Sequence, residues 1–228
     1  MLAAGIGVTG DNLMTFFDII LSTSASLHPE VEPDEFISAY QGVIRAEGDD
    51  GVLHRVGRAH AWHIHMGLAT NHGESLLDIF DAHSQPMCDL YAALFDPETD
   101  YFTEAIIRQF EAMDCDLLIL DYVILNPCWR GLKLGLLAAR KMVDLLGGGC
   151  GLVVSHIAPL CPDAYRMLRV PKSWLPRHKT AEARKQAVVK LRRYFRQMGF
   201  ERIGRTCYYG LSMARKVPTL ADLLRPSQ

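Results

Sequence analysis

The sequence predicts a mixed α/β domain, and three observations carry that expectation. "DLLILDYVIL", residues 116–125, is too short and too continuously apolar for anything but a buried strand. A helical pattern follows it from about Gly131 to Leu146 and stops at three glycines, Gly147 to Gly149, a strong C-terminal signal. A further strand, "GLVVSHIAPL", comes directly after them.

Beyond a basic loop containing Pro162, Pro171 and Pro176, a helix from about Ala181 to Met198 keeps Ala187, Val188, Leu191, Phe195 and Met198 on one side, and Gly199 ends it. "FERIGRTCYYGLSMA" reads as two closing strands, and the tail after Pro218 as a short helix or irregular chain. Upstream, an apolar run spans Phe16 to Leu21 and a short helix is expected after Pro33. The β-branched, aromatic and histidine-rich residues 52–69 suggest a hairpin or one long strand. From Gly73, helical periodicity at Leu76, Leu77 and Phe80 and then at Leu90, Ala93 and Leu94 is broken near Pro86. A further helix, about Tyr101 to Met113, would carry Ile106, Ile107 and Phe110 inward.

A chain of 228 residues, 49% hydrophobic and 22% charged, can bury a substantial core in one large or two small domains. Its apolar runs reach about ten residues and are interrupted by Asp, well short of the roughly 20 that cross a bilayer. "MLAAGIGVTG" has no basic region of the kind that opens a signal peptide, so a cytoplasmic protein is expected, with its six cysteines as thiols. No two form a C-x-x-C pair. The net charge of -2 conceals an asymmetry: residues 1–128 hold 21 acids against 4 bases, residues 129–228 hold 5 acids against 20 bases. A basic half meets phosphates and an acidic half attracts cations, or the two halves attract one another in the fold.

The junction "NPCWRGLKLG", Asn126 to Gly135, joins the buried strand to the long helix. Such a turn leaves the first helical N–H groups without intrahelical partners and adds the positive end of the helix dipole. Glycine lets a ligand oxygen approach the backbone, so the segment forms a pyrophosphate-binding device. It is neither a Walker loop nor a G-x-G-x-x-G turn.

"PCWRGLKLG" resembles the Q/R-x-x-G-x-G/A acyl-CoA signature of the GNAT superfamily of N-acetyltransferases, and "FRQMGF" resembles that family's Tyr-x-x-x-Gly-Phe helix end. The resemblance covers about residues 116–213, with matching order and spacing. It implies a mixed, mostly antiparallel central sheet flanked by helices in one domain, made of a divergent half 1–115 that shapes the acceptor site, an acyl-CoA core 116–213 and a tail 214–228. It implies acetyl-CoA as cosubstrate and direct transfer of the acetyl group to an amine, a small molecule or a protein, in a ternary complex. Backbone amides from Arg130 through Gly131, Leu132, Lys133, Leu134 and Gly135 to Leu136 would hold the pyrophosphate. The strand before them would splay from its neighbour and offer Val123, Ile124 and Leu125 to the pantetheine. Lys133 replaces the family's usual glycine and Phe195 its thiolate-protonating tyrosine, which favours a non-catalytic acyl-CoA-binding relative as the alternative.

A general base must take a proton from the amine, and an acid must protonate the leaving thiolate. Asp121, nine residues before Arg130, is the candidate base, because a carboxylate inside so apolar a run needs a purpose or a partner. Tyr208 and Tyr209 are the candidate acids. His63 and His65 share a strand face and His60 lies on the other, but no third ligand stands at a recognisable spacing, so no metal is expected. The basic residues Arg166, Arg169, Lys172, Arg177 and Lys179 would lie near the coenzyme's 3′-phosphate. A cationic amine is the expected acceptor. A second copy of the chain is a further candidate partner, whereas no nucleic-acid module and no membrane contact is indicated.

Overall fold

The computed structural model describes residues 16–25, 32–48, 50–113, 115–160, 166–177 and 180–225. The amino-terminal decapeptide, Cys161, Pro162 and Lys179, all used above, lie outside them. One seven-stranded sheet runs through both halves of the chain, in the order β1-β2-β3-β4-β5-β7-β6. Strands β1 (Phe17–Ser22), β2 (Ile37–Glu47), β3 (Leu53–Ile64) and β4 (Asp116–Leu125) form an antiparallel meander. β5 (Cys150–His156) lies parallel to β4, and β7 (Tyr208–Ser212) and β6 (Glu201–Arg202) close the sheet antiparallel. The architecture is thus α+β with one parallel pair in a mostly antiparallel sheet.

Helices α1 (Met66–His72), α2 (Leu76–His83), α3 (Gln85–Leu94) and α4 (Glu104–Phe110) share one core with Leu117 and Ile119 of β4 and with Leu152 and Val154 of β5. The opposite core joins Leu118, Leu120 and Val153 to α5 (Leu134–Leu146), with Leu191, Tyr194 and Phe195 of α6 (Ala181–Arg196) packed against it. Burial on both faces explains why β4 and β5 read as continuous apolar runs, since each fully buried Leu or Val gains about 1.5–3 kcal/mol relative to exposure. The short α7 (Leu220–Leu224), held by a Thr219/Asp222 capping box, lies against α5.

Three expectations are corrected. The helix expected after Pro33 is a single 3-10 turn, Pro33–Phe36, and the chain continues as the eleven-residue strand β2. Pairing with β1 and β3 overrides the local "PDE" signal for a helix start. Residues 101–113 form a helix only from Glu104 to Phe110, because Phe102 is engaged in a bridge with Phe95 and Glu111 is left-handed; Ile107 faces outward. α5 begins at Leu134 rather than Gly131, since Gly131 and Lys133 both have positive φ and hold the chain out of the helix.

The β4/β5 ladder is staggered at its start, where Asp116 stands opposite Cys150 and Leu117 opposite Leu152, so Gly151 is the extra residue. A Cβ on Gly151 would lie 2.1 Å from the Met113 carbonyl oxygen. Gly151→Ala should therefore destabilise the fold by about 3 kcal/mol, the upper range for overpacking, and lower Tm by roughly 6–12 °C for a chain of this size. A thermal melt within about 2 °C of wild type would show that the strand start yields without strain.

Candidate functional site

The parallel ladder stops early. Its last pair is Ile119 with Val154, although β4 continues to Leu125 and β5 to His156. At the point of divergence the Ser155 hydroxyl donates to the Leu120 carbonyl at 2.8 Å and takes the place of a strand partner. Farther along, β4 pairs with β3 alone among the described residues, and its alternate main-chain groups face a cleft. That cleft, about 350 Å³, has Tyr122 and Val123 on one side and His156 to Leu160 on the other. It merges at Val123, Leu125 and Arg130 with a second cavity of about 600 Å³ that reaches Gly131, Lys133, Leu134 and Gly135. Together they have the size of a ligand site.

Helix α6 roofs both cavities. None of its residues is fully buried, and its apolar stripe at Leu191 and Phe195 lines the cleft. Its apolar face, half-buried against the α5 core, also walls the cavities, which suits an apolar or extended ligand.

Asp121 sits where the sheet changes parity. His60 pairs with Tyr122 and Ala61 with Leu120, so Asp121 is a one-residue bulge on β4. The extra residue places Leu118 and Leu120 and then Val123 and Leu125 toward α5, while Tyr122 and Ile124 turn to the loop carrying Leu168 and Trp174. The Asp121 side chain lines the cleft with 45% of its surface exposed, and Oδ2 lies 3.0 Å from His60 Nδ1. A carboxylate accepting from Nδ1–H leaves His60 Nε2 with a lone pair. His60 is buried, stacked on Tyr122 at 5.6 Å and edge-on to Trp62 at 4.4 Å, and Trp62 in turn meets His83.

On the other wall, His156 stacks obliquely with Tyr208, ring centres 5.5 Å apart. His156 is exposed, yet its surroundings desolvate it enough to lower its pKa against the opposing pull of Asp121. The Tyr208 hydroxyl donates to the Pro86 carbonyl at 3.2 Å, and burial, with Cys207 and Asp89 adding, pushes its pKa up to about 12. It keeps its proton through the neutral range and can donate. Tyr209, the other candidate acid, is 1% exposed within the opposite core, and neither tyrosine is among the residues lining the two cavities.

The turn residues divide in the same way. Val123, Leu125, Arg130, Gly131, Lys133, Leu134 and Gly135 line the cavities, and Ile124 lines the first while packing under Trp174. Leu132 is exposed and Leu136 belongs to the core. Arg130 spends its guanidinium on the Leu125 carbonyl, at 3.2 and 3.0 Å, and on the Trp174 carbonyl. Lys133 adopts the left-handed conformation that glycine would favour, φ 57°, and sends its ammonium away to the carbonyls of Leu223 and Arg225, at 2.7 and 2.8 Å. Its side chain therefore does not crowd the turn. The Tyr194 hydroxyl does reach the turn, 3.4 Å from the Lys133 carbonyl oxygen, and a Cβ on Gly135 would lie 3.2 Å from it. Burial raises the Tyr194 pKa, opposed by a hydrogen bond from the Leu136 backbone. Of the basic run 166–179, no described member lines either cavity; Lys190 of α6 lines both and has no hydrogen-bond or ion-pair partner among the described residues.

Ser155, His156 and Tyr194 line the cavities although motif reading did not single them out, and His60, weighed there as a metal ligand, joins the site through Asp121. The alternation in "HAWHIH" separates His60 and Trp62 from His63, but nothing in one sequence couples His60 to an aspartate 61 positions away. No family model, curated protein or solved structure matches the chain.

Tyr208 supplies a direct check on this environment. In a spectrophotometric titration, Tyr208→Phe should leave the amplitude of the phenolate step near pH 10 unchanged, because the wild-type group ionises about two units higher. Loss of one tyrosine equivalent from that step would show a solvated, ordinary phenol.

Proposed function

We propose that the protein is an acyl-CoA-dependent N-acetyltransferase of the GNAT type, acting on a cationic amine by direct transfer. The observation that carries the reading is the abandoned β4/β5 ladder, a through-sheet cleft whose floor is unpaired strand backbone and whose far end is a glycine-bearing turn at a helix N-terminus. The strand order, with its single parallel pair, supports the resemblance of "PCWRGLKLG" and "FRQMGF".

In this reading the pantetheine lies extended along Val123 to Leu125 and hydrogen-bonds the main-chain groups that β3 and Arg130 leave free. The pyrophosphate meets the amides of residues 131–136, with Lys190 nearby and the Tyr194 hydroxyl moving aside. The amine arrives beside Asp121, where the acidic half of the chain favours a cation. The ammonium gives a proton to the Asp121–His60 pair, directly or through water, and its lone pair attacks the thioester carbonyl. The tetrahedral intermediate collapses as the C–S bond breaks, and the thiolate takes a proton from water, or from Tyr208 once its hydroxyl leaves the Pro86 carbonyl. The products are the N-acetylated amine and coenzyme A. Phe195 at the cleft wall, where the family carries tyrosine, favours a binding protein without turnover as the second reading.

Acetyl-CoA at 100 times its Kd should stabilise the fold by about 2.7 kcal/mol, visible as a rise in Tm and as calorimetric heat. Absence of both would remove the acyl-CoA reading altogether. Gly135→Leu, pressing on Tyr194 and filling the turn end of the cavity, should abolish most of that stabilisation and leave the unliganded fold intact; unchanged coenzyme affinity would place the phosphates elsewhere.

Turnover tests the base. Asp121→Asn retains shape but accepts no proton, so thiol release with an amine panel should fall about 10²- to 10⁴-fold while acetyl-CoA binding changes little. Binding without thiol release in the wild type would select the non-catalytic reading, and an Asp121→Asn rate within a few-fold of wild type would make Asp121 a structural carboxylate.

A further inference from the structure

A second cluster lies at the other end of β4, where β4 and β5 are still paired. His63 from β3 and His65, the residue capping α1, stack their rings 4.5 Å apart with planes inclined by 22°. Both direct a ring nitrogen at one oxygen of Asp116: His63 Nε2 is 3.0 Å and His65 Nδ1 3.5 Å from Oδ2. The other carboxylate oxygen accepts from the Gly67 N–H at 3.3 Å, which fixes the plane of the group. The remaining nitrogen of His65, Nε2, is held at 2.7 Å by the Ser38 hydroxyl from β2. Cys150, at the start of β5, brings its buried sulfur to 3.7 Å from the same His63 Nε2.

We propose that His63, His65 and Asp116 form a divalent-cation site suited to zinc. A cation at the centre would take a lone pair from one ring nitrogen of each histidine and from the Asp116 carboxylate at once. Cys150 stands beside the group, its thiol donating to the Leu146 carbonyl at 3.8 Å. The spacings suit a cation. Nitrogen and oxygen ligands at 2.0–2.2 Å from tetrahedral zinc stand about 3.4 Å from one another. The distances of 3.0 and 3.5 Å from Asp116 Oδ2 are near that size, and the donor atoms of His63, His65 and Asp116 all lie within 4.8 Å of one another.

The surroundings resemble those of a metal site as well. Metal-bound histidine is oriented by a hydrogen bond to its other ring nitrogen, which Ser38 provides for His65, and a ligating carboxylate is itself hydrogen-bonded, as Asp116 is by Gly67. Three protein donors leave a coordination position for water. The site would tie β3 and the residue capping α1 to β4 at the closed end of the diverging strands, five residues along β4 from Asp121, or about 16 Å. This inference is independent of any acyl-transfer chemistry.

The test uses the full 228-residue chain without a polyhistidine tag, stripped with chelator and titrated with zinc against a competing indicator. One equivalent should bind with sub-micromolar affinity and raise Tm. Asp116→Asn, nearly isosteric, should weaken binding at least 100-fold, and Ser38→Ala about 10-fold through the orientation of His65. Cobalt in place of zinc should give visible ligand-field absorption that Asp116→Asn weakens. The proposal is overturned if the stripped wild type binds no stoichiometric zinc, or if Asp116→Asn binds it equally well. Asp116→Asn and Ser38→Ala preserve side-chain volume closely enough for circular dichroism to establish a folded variant before titration.

Discussion

The structure turns on a ladder left unfinished. Two parallel strands buried on both faces would be expected to pair along their whole length, since an unpaired main-chain group away from water costs about as much as a lost hydrogen bond. β4 and β5 pair over their first residues only, and Ser155 satisfies the Leu120 carbonyl at the break. Beyond it the backbone of β4 faces a cavity in place of a strand. The sheet survives because β3 still holds β4 from the other side, with register continuous from Gly57 opposite Leu125 to Ile64 opposite Leu117 except at the bulge. A ligand with its own amide groups can complete the missing ladder as a surrogate strand, which gives the open edge a chemical meaning that a mere packing defect lacks.

The bulge at Asp121 belongs to the same solution. Without the extra residue, the alternation that directs Leu118 and Leu120 toward α5 would direct Tyr122 and Ile124 there too, and Val123 and Leu125 to the opposite side. The bulge exchanges them, so small and medium apolar residues floor the cleft beneath α6. It also frees the inserted carboxylate from the pleat, where His60 can reach it. One inserted residue thus sets the cleft floor and positions the candidate base together.

The carboxy-terminal elements were legible because their signals are local. The runs 116–125 and 150–156, the glycines 147–149 and Gly199 mark strands and helix ends within a few residues of where they fall. β2 was not legible. "ISAYQGVIRAE" has weak alternation and contains Gly42, whose small size is needed because a Cβ there would meet Ala59 and Ile19 side chains at 3.1 and 3.2 Å. Its strand character comes from neighbours on both sides. The site shows the same division. The glycine-bearing turn and Asp121 stood out as residue types in unusual surroundings, whereas Lys133 as an outward strap and Tyr194 over the turn depend on α7 and α6, some 90 and 60 positions away. Spacing along the chain could not bring Asp116 to the histidines, since sheet register places it beside His63 from 53 residues away.

β4 therefore carries two carboxylates in opposite surroundings. Asp116 stands at the paired end, partly covered, with two imidazoles, a backbone N–H and a thiol around it; Asp121 stands at the divergent end, nearly half exposed, with a single histidine. The number of partners decides what each can do. A carboxylate held by several donors at a fixed point on three strands is suited to anchoring and poorly suited to exchanging protons with a substrate. A carboxylate with one partner and access to the cleft can pass a proton outward at low cost in structure. Rigidity at the closed end also serves the open end, because a cleft formed by diverging strands keeps its width only if the strands cannot pivot where they meet. The polar residues that interrupt an otherwise apolar strand are then the two ends of one mechanical element, a fixed joint and a working mouth.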